Sequence, residues 1–152
     1  MTRSERMKSV RRYTASREDE AARAFEEANQ AYRQQQQQLN ELRRYREEYR
    51  TQMTDMGAGG ISASRFNQFR GFLAKLDQAI KQQEQAVAQV GQECERRRKA
   101  WLEARAKTQI MDKVVSRYQD EEARLEERAE QKAVDEMAQY HGRNGPGRGG
   151  RR

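Results

Sequence analysis

The sequence is poor in residues that interrupt helices and in residues that build reactive sites. It holds one proline in 152 residues, Pro146, so ring sterics forbid a helix nowhere before it. It holds one cysteine, Cys94, which excludes an internal disulfide and a cysteine-built zinc site. Its one histidine, His141, stands in a Gly/Arg-rich tail. No Cys/His cluster and no secluded acid pair is present, so no catalytic residue, cofactor or metal ligand is expected. Apolar residues are scarce as well: they make up 34%, against about 45–50% in an ordinary globular domain. That supply is too small for the core of a layered α/β or all-β domain. No apolar run approaches the ~18 residues of a membrane span. The basic N-terminus, MTRSERMKSVRRYTASRE, has no apolar stretch of the kind a secretory signal needs, so a cytoplasmic location is expected.

Charge is abundant, at 36%, and the common residues (Ala, Glu, Gln, Arg and Lys) are strong helix formers. Such a composition fits either a long helical coiled coil or a disordered chain. Periodicity decides between them. Alternating steps of three and four from Phe66 to Glu136 meet 15 apolar residues in 21 positions. The same steps from Ala21 to Met56 meet nine in 11, and before Ala21 the apolar pattern fades. A seam this regular predicts helices that supercoil against a partner. Cys94 falls on it as a small core residue.

The break between the two seams is MGAGGISAS, residues 56–64. Its glycines can end a helix, and Ser62 or Ser64 can cap the next. The predicted fold is all-α, two long helices in an antiparallel coiled coil, or αα-hairpin. Helix one is expected over about 5–55, the turn over 56–63 and the longer helix two over about 64–140, as one domain spanning 1–140. The segment 141–152 is expected to be a disordered basic tail. A turn centred near residues 59–60 pairs helix one only as far as about residue 114. That leaves roughly 35–40 Å of helix two unpaired, carrying Val114, Val115, Tyr118 and Leu125. Such an end belongs to a partner, frays, or associates with its own kind.

Charge is unevenly placed. Residues 1–17 carry a net +5, residues 141–152 a net +4, and residues 18–140 a net −2. In a hairpin the two basic ends meet at one pole, which suits an acidic surface or a polyanion, or serves solubility alone. One group exceeds what a two-helix seam can bury: Tyr45, Tyr49 and Phe72, clustered near the turn with Gln38 and Leu42 close by. It forms either a contact patch or a shield flanking the core.

The stretch 42–83, LRRYREEYRTQMTDMGAGGISASRFNQFRGFLAKLDQAIKQQ, resembles the signature region of the flagellar FliJ family. The likeness rests on Tyr45, Tyr49 and Arg50, on Met56-Gly57 leading into Gly60-Ile61, and on Arg65-Phe66 followed by Phe69, Phe72, Leu76 and Ala79-Ile80. The resemblance implies a coiled coil similar to the central stalk of rotary ATPases. It implies binding to the hexameric flagellar export ATPase and to the membrane protein of the export gate, coupling the two, with escort of export chaperones. It places the protein in the cytoplasm at the inner membrane face of the flagellar base, held to the membrane only through partners. The gate contact it implies carries over to Gln38, Leu42, Tyr45, Tyr49, Phe72, Leu76, Ala79 and Gln83, the last standing where the family often has His. Contact with the ATPase ring is expected from Val114, Val115, Tyr118 and Leu125 with Arg11 and Arg12. The corresponding stalk of a virulence secretion system, a scaffold and a basic-ended nucleic-acid-binding coiled coil are the competing readings. The slightly acidic middle and the lack of a reading fold argue against specific nucleic acid.

Overall fold

The computed structural model describes residues 1–143 and consists of two long helices packed against each other. Helix α1 spans Arg3–Ala58, and the longer α2 spans Ala63–Arg143. The expected αα-hairpin is therefore what forms. Residues 141–143, expected to belong to the tail, continue α2; the rest of 141–152 lies outside the described residues.

Caps fix the start of α1, the turn and the start of α2. At the start of α1, Thr2 Oγ1 accepts from the Glu5 N–H at 3.3 Å, and Glu5 Oε2 accepts from the Thr2 N–H at 3.0 Å. This reciprocal pair satisfies two donors that a helix start leaves without partners. At the turn, the Gly59 and Gly60 N–H groups donate to the Met56 and Gly57 carbonyls, each at 3.2 Å. Among the described residues Gly60 alone takes a positive φ, 87°, the conformation that closes a helix at low cost only for glycine. Ser62 is the serine that caps α2: its hydroxyl accepts from the Arg65 N–H at 3.2 Å.

Packing divides the chain into two compact units, Ser16–Arg105 and Met1–Ala15 with Ala106–Arg152. In the first, the seam positions close the interface, with Leu39, Leu76 and Ile80 buried. Phe25 and Trp101 meet with ring centroids 5.8 Å apart. Tyr32 lies against the backbone of Gly91 so closely that a Cβ there would sit 3.2 Å from the ring. A helix-interior glycine thus serves as the hole for an aromatic knob. Gly71 has no such reason, since nothing lies within 4 Å of where its Cβ would be. Gly71→Ala is therefore expected to stabilise the hairpin by about 0.5–1 kcal/mol, read from urea unfolding followed by circular dichroism. No gain would mean that α2 is not helical at this point.

In the second unit the seam continues in polar form. The start of α1, whose apolar pattern fades, still places Ser4, Met7 and Thr14 in covered positions, and Ser4 is buried. On α2, Thr108 and Val115 are the buried residues of this unit.

Candidate functional site

The aromatic group near the turn assembles as a cluster of four rings. Tyr49 sits between Phe72 and Phe69, with centroid distances of 4.6 and 5.0 Å. Tyr45 meets Phe72 edge to face at 6.2 Å. Tyr45 is 50% exposed and Phe72 also reaches solvent, while Tyr49 and Phe69 are half-buried beneath them. Phe69 was absent from the expected patch, although the Phe66, Phe69, Phe72 spacing carries the signal. Tyr45 and Phe72 each precede a seam residue by one, whereas Arg43 and Glu84 each follow one. The two sets therefore occupy opposite flanks. One flank is closed by interhelical ion pairs, Arg43 Nη2 to Glu84 Oε1 at 3.4 Å and, next to the seam, Arg46 Nε to Asp77 Oδ1 at 2.7 Å. The latter is close but not aligned as a hydrogen bond. The other flank is closed by aromatic rings, which offer a partner apolar faces and two phenolic hydroxyls.

Seven of the eight residues expected at this patch have surface to offer; Leu76 does not, and the half-buried Gln83 is engaged between the helices. Gln38, Tyr45 and Phe72 are exposed, and Leu42, Tyr49 and Ala79 are half-buried. Leu76 is a core residue at 7% exposure, because it stands on the heptad seam and faces α1. A partner cannot touch it without parting the helices. Gln83 is an interhelical tie: its amide donates to the Gln35 carbonyl at 2.9 Å and to Gln35 Oε1 at 2.8 Å.

The unpaired end also needs correcting. Glu122 accepts from the Ser4 N–H at 3.1 Å and from the Ser4 hydroxyl at 2.6 Å. Turn-centred pairing would have set Ser4 opposite residue 115, so the helices stay paired about seven residues further along α2. The turn is centred later than expected, on Gly59–Ser62. In addition, side chains on both antiparallel helices lean toward their own N-termini, which raises the number of each contacting residue. Val115 is consequently buried at 8%, and Val114 and Tyr118 are half-buried. Arg3 stacks over the Tyr118 ring at 5.8 Å. Arg11 pairs with Asp112, while Arg12 is exposed and its guanidinium reaches Ser9 at 3.4 Å. Of the expected ring contacts, Leu125 alone lies in the part of α2 beyond the pairing, 63% exposed and followed by exposed Val134, Met137 and Tyr140. That part runs from Glu122 to Arg143, roughly 30 Å. Nor is it basic: residues 120–136 carry eight acidic and three basic side chains.

Glu122 is the interhelical contact that apolar counting overlooks. Its carboxyl is held below the ordinary carboxylate range, first by the Ser4 hydroxyl, then by the Ser4 N–H, with Lys8 and Thr2 adding to the effect and desolvation opposing it. It also lies at the positive end of the α1 dipole. A carboxyl lowered in the folded state contributes stability above its unfolded value and loses it as pH falls through the folded value. The Ser4 amide resonance is therefore expected to shift, and its protection relative to the intrinsic exchange rate to fall, as the Glu122 carboxyl protonates below the ordinary carboxylate range. A Ser4 signal insensitive to that titration would contradict the bond.

Among the described residues no helix is long and apolar enough to cross a membrane, and no group of three or more His, Cys, Asp or Glu could hold a metal. The family described as Flagellar FliJ protein matches residues 3–147. The flagellar FliJ protein of Salmonella typhi is 33% identical over 122 residues, covering 80% of this chain and 82% of that protein. The flagellar FliJ protein of Escherichia coli (strain K12) is 29% identical over 121 residues, again covering 80% and 82%. No solved structure matches this chain with significance.

Proposed function

The chain belongs to the flagellar FliJ family and is a component of flagellar protein export, and from that premise we propose that it is the non-enzymatic stalk that couples the export ATPase to the export gate. The observation that carries this reading is the end of α2. An isolated helix of roughly 30 Å exposes Leu125, Val134, Met137 and Tyr140 after α1 has stopped. An exposed apolar stripe on a single helix gains by entering a partner's cavity. In this reading the hexameric ATPase receives residues 123–143, and the ring cluster of Tyr45, Tyr49 and Phe72 meets the membrane protein of the gate. Export chaperones are further partners. The protein works in the cytoplasm at the flagellar base and reaches the membrane through the gate alone.

Co-purification of the full chain with the export ATPase, followed by limited proteolysis, tests the proposal. Protection of residues 123–143 on binding, together with faster ATP hydrolysis by the hexamer, is the expected result. Unchanged cleavage in that segment would sink the stalk assignment.

A further inference from the structure

The first turns of α1 cover α2 by polar contacts at a face that is itself apolar. Of the α1 seam residues Ser4, Met7, Arg11 and Thr14, only Met7 is apolar, whereas α2 presents Met111, Val115 and Tyr118. The other apolar side chains of this stretch, Val10 and Tyr13, are exposed on α1. Among the contacts that hold the stretch down are the Ser4–Glu122 pair of hydrogen bonds, the Arg11–Asp112 ion pair and the Arg3–Tyr118 stack. Contacts of this kind exchange for water with little net change in free energy, while apolar burial does not. Residues 21–56 differ, with nine of 11 seam positions apolar. The start of α1 is thus the part of the hairpin that opens at lowest cost.

We propose that residues 3–15 are a releasable strap over a second binding face of α2. That face consists of Met111, Val115 and Tyr118 and runs on into the exposed Leu125. The occupant that replaces the strap is a basic, apolar-lined surface of the export ATPase, so this inference rests on the stalk reading above. The strap itself shows what chemistry the face accepts. It brings Arg3, Arg6, Lys8, Arg11 and Arg12 to a stretch of α2 in which Asp112, Asp120, Glu121 and Glu122 outnumber Lys113 and Arg117. A basic partner with more apolar surface than the strap meets the same charges and buries Val115 and Tyr118 better. Val115 and Tyr118, two of the residues expected from sequence to contact the ring, are then covered in the free chain and uncovered on engagement.

Hydrogen–deuterium exchange on the full chain tests the strap. Amides of residues 5–15 are expected to exchange at least about tenfold faster than those of residues 25–50. Ser4→Ala, which leaves α2 untouched, and Glu122→Gln should each accelerate the first set several-fold and leave the second set and the helical ellipticity unchanged. Equal protection of the two sets, or equal acceleration by the variants, would overturn the strap. The occupant is tested separately by titrating the purified ATPase hexamer with each variant. Tighter binding by Ser4→Ala than by the parent chain is expected, because the strap no longer competes; unchanged affinity beside faster exchange would overturn the second binding face. If the parent chain does not bind the ATPase at all, the stalk reading falls, while the exchange data still decide the strap.

Discussion

Leu39→Ala is expected to destabilise the hairpin by about 2–3 kcal/mol and to lower the thermal midpoint by roughly 5–10 °C. Among the described residues Leu39 is the most buried large apolar side chain, at 5% exposure. It lies between the Gln35–Gln83 tie and the layer of Leu42 and Leu76, with Leu76 and Ile80 as the buried residues of the facing helix. Removing its branch strips contacts from both sides of the seam. A seam between only two helices cannot enclose a large void, so water enters and the cost stays toward the lower end of the usual range for such truncations. The loss is still a large share of the stability of a small domain, which is commonly 5–15 kcal/mol in total. Urea and thermal unfolding followed by circular dichroism measure it. Leu125→Ala is the control: at 63% exposure it should leave the midpoint within about 0.5 kcal/mol of the parent. Were the two variants to unfold alike, the seam would be misplaced.

The heptad arithmetic reads this molecule well where side chains are apolar. Every seam position from Phe69 to Glu122 is covered except Arg97, whose guanidinium turns outward to Glu93 at 2.8 Å. Long basic side chains escape a seam by bending away from it, which a tally of residue types cannot register. Leu76 and Val115 both stand on the heptad seam, and both are buried against α1, at 7% and 8% exposure. Val115 falls within the pairing because the turn is centred on Gly59–Ser62, later than the glycine spacing alone suggests. The polar end was harder. Ser4, Thr108 and Glu122 count as misses in an apolar template, yet Ser4 and Thr108 are buried and Glu122 ties α2 to the start of α1. Thr2 followed by Glu5 was the legible signal, since a capping pair marks an ordered helix start ahead of any apolar pattern. The ring cluster was visible as a surplus of aromatics. That one flank is aromatic and the other ionic follows only once the register between the helices is known.

Tyr45→Ala is expected to weaken binding of the export-gate protein by roughly 30-fold, about 2 kcal/mol, with little effect on folding. Three observations separate its two effects. Half of its surface is exposed in the free chain, so the ring is available to a partner before binding. Its recorded ring contact within the hairpin is the edge-to-face approach to Phe72 at 6.2 Å, an interaction worth only about 0.5–1 kcal/mol. Beneath it, Tyr49 remains fixed between Phe69 and Phe72, so the platform outlasts the truncation. Tyr49→Ala should behave differently: removing the central ring loosens Phe69 and Phe72 together, lowering stability as well as gate affinity. Arg43→Ala, on the ionic flank, removes an exposed pair with Glu84 and should change neither by a measurable amount. Titration calorimetry with the soluble part of the gate protein, beside swimming motility in a strain carrying each variant, reads these outcomes. If Tyr45→Ala bound and swam like the parent, or if Arg43→Ala lost as much affinity, the aromatic flank would be a shield for the core rather than the contact through which the gate is held.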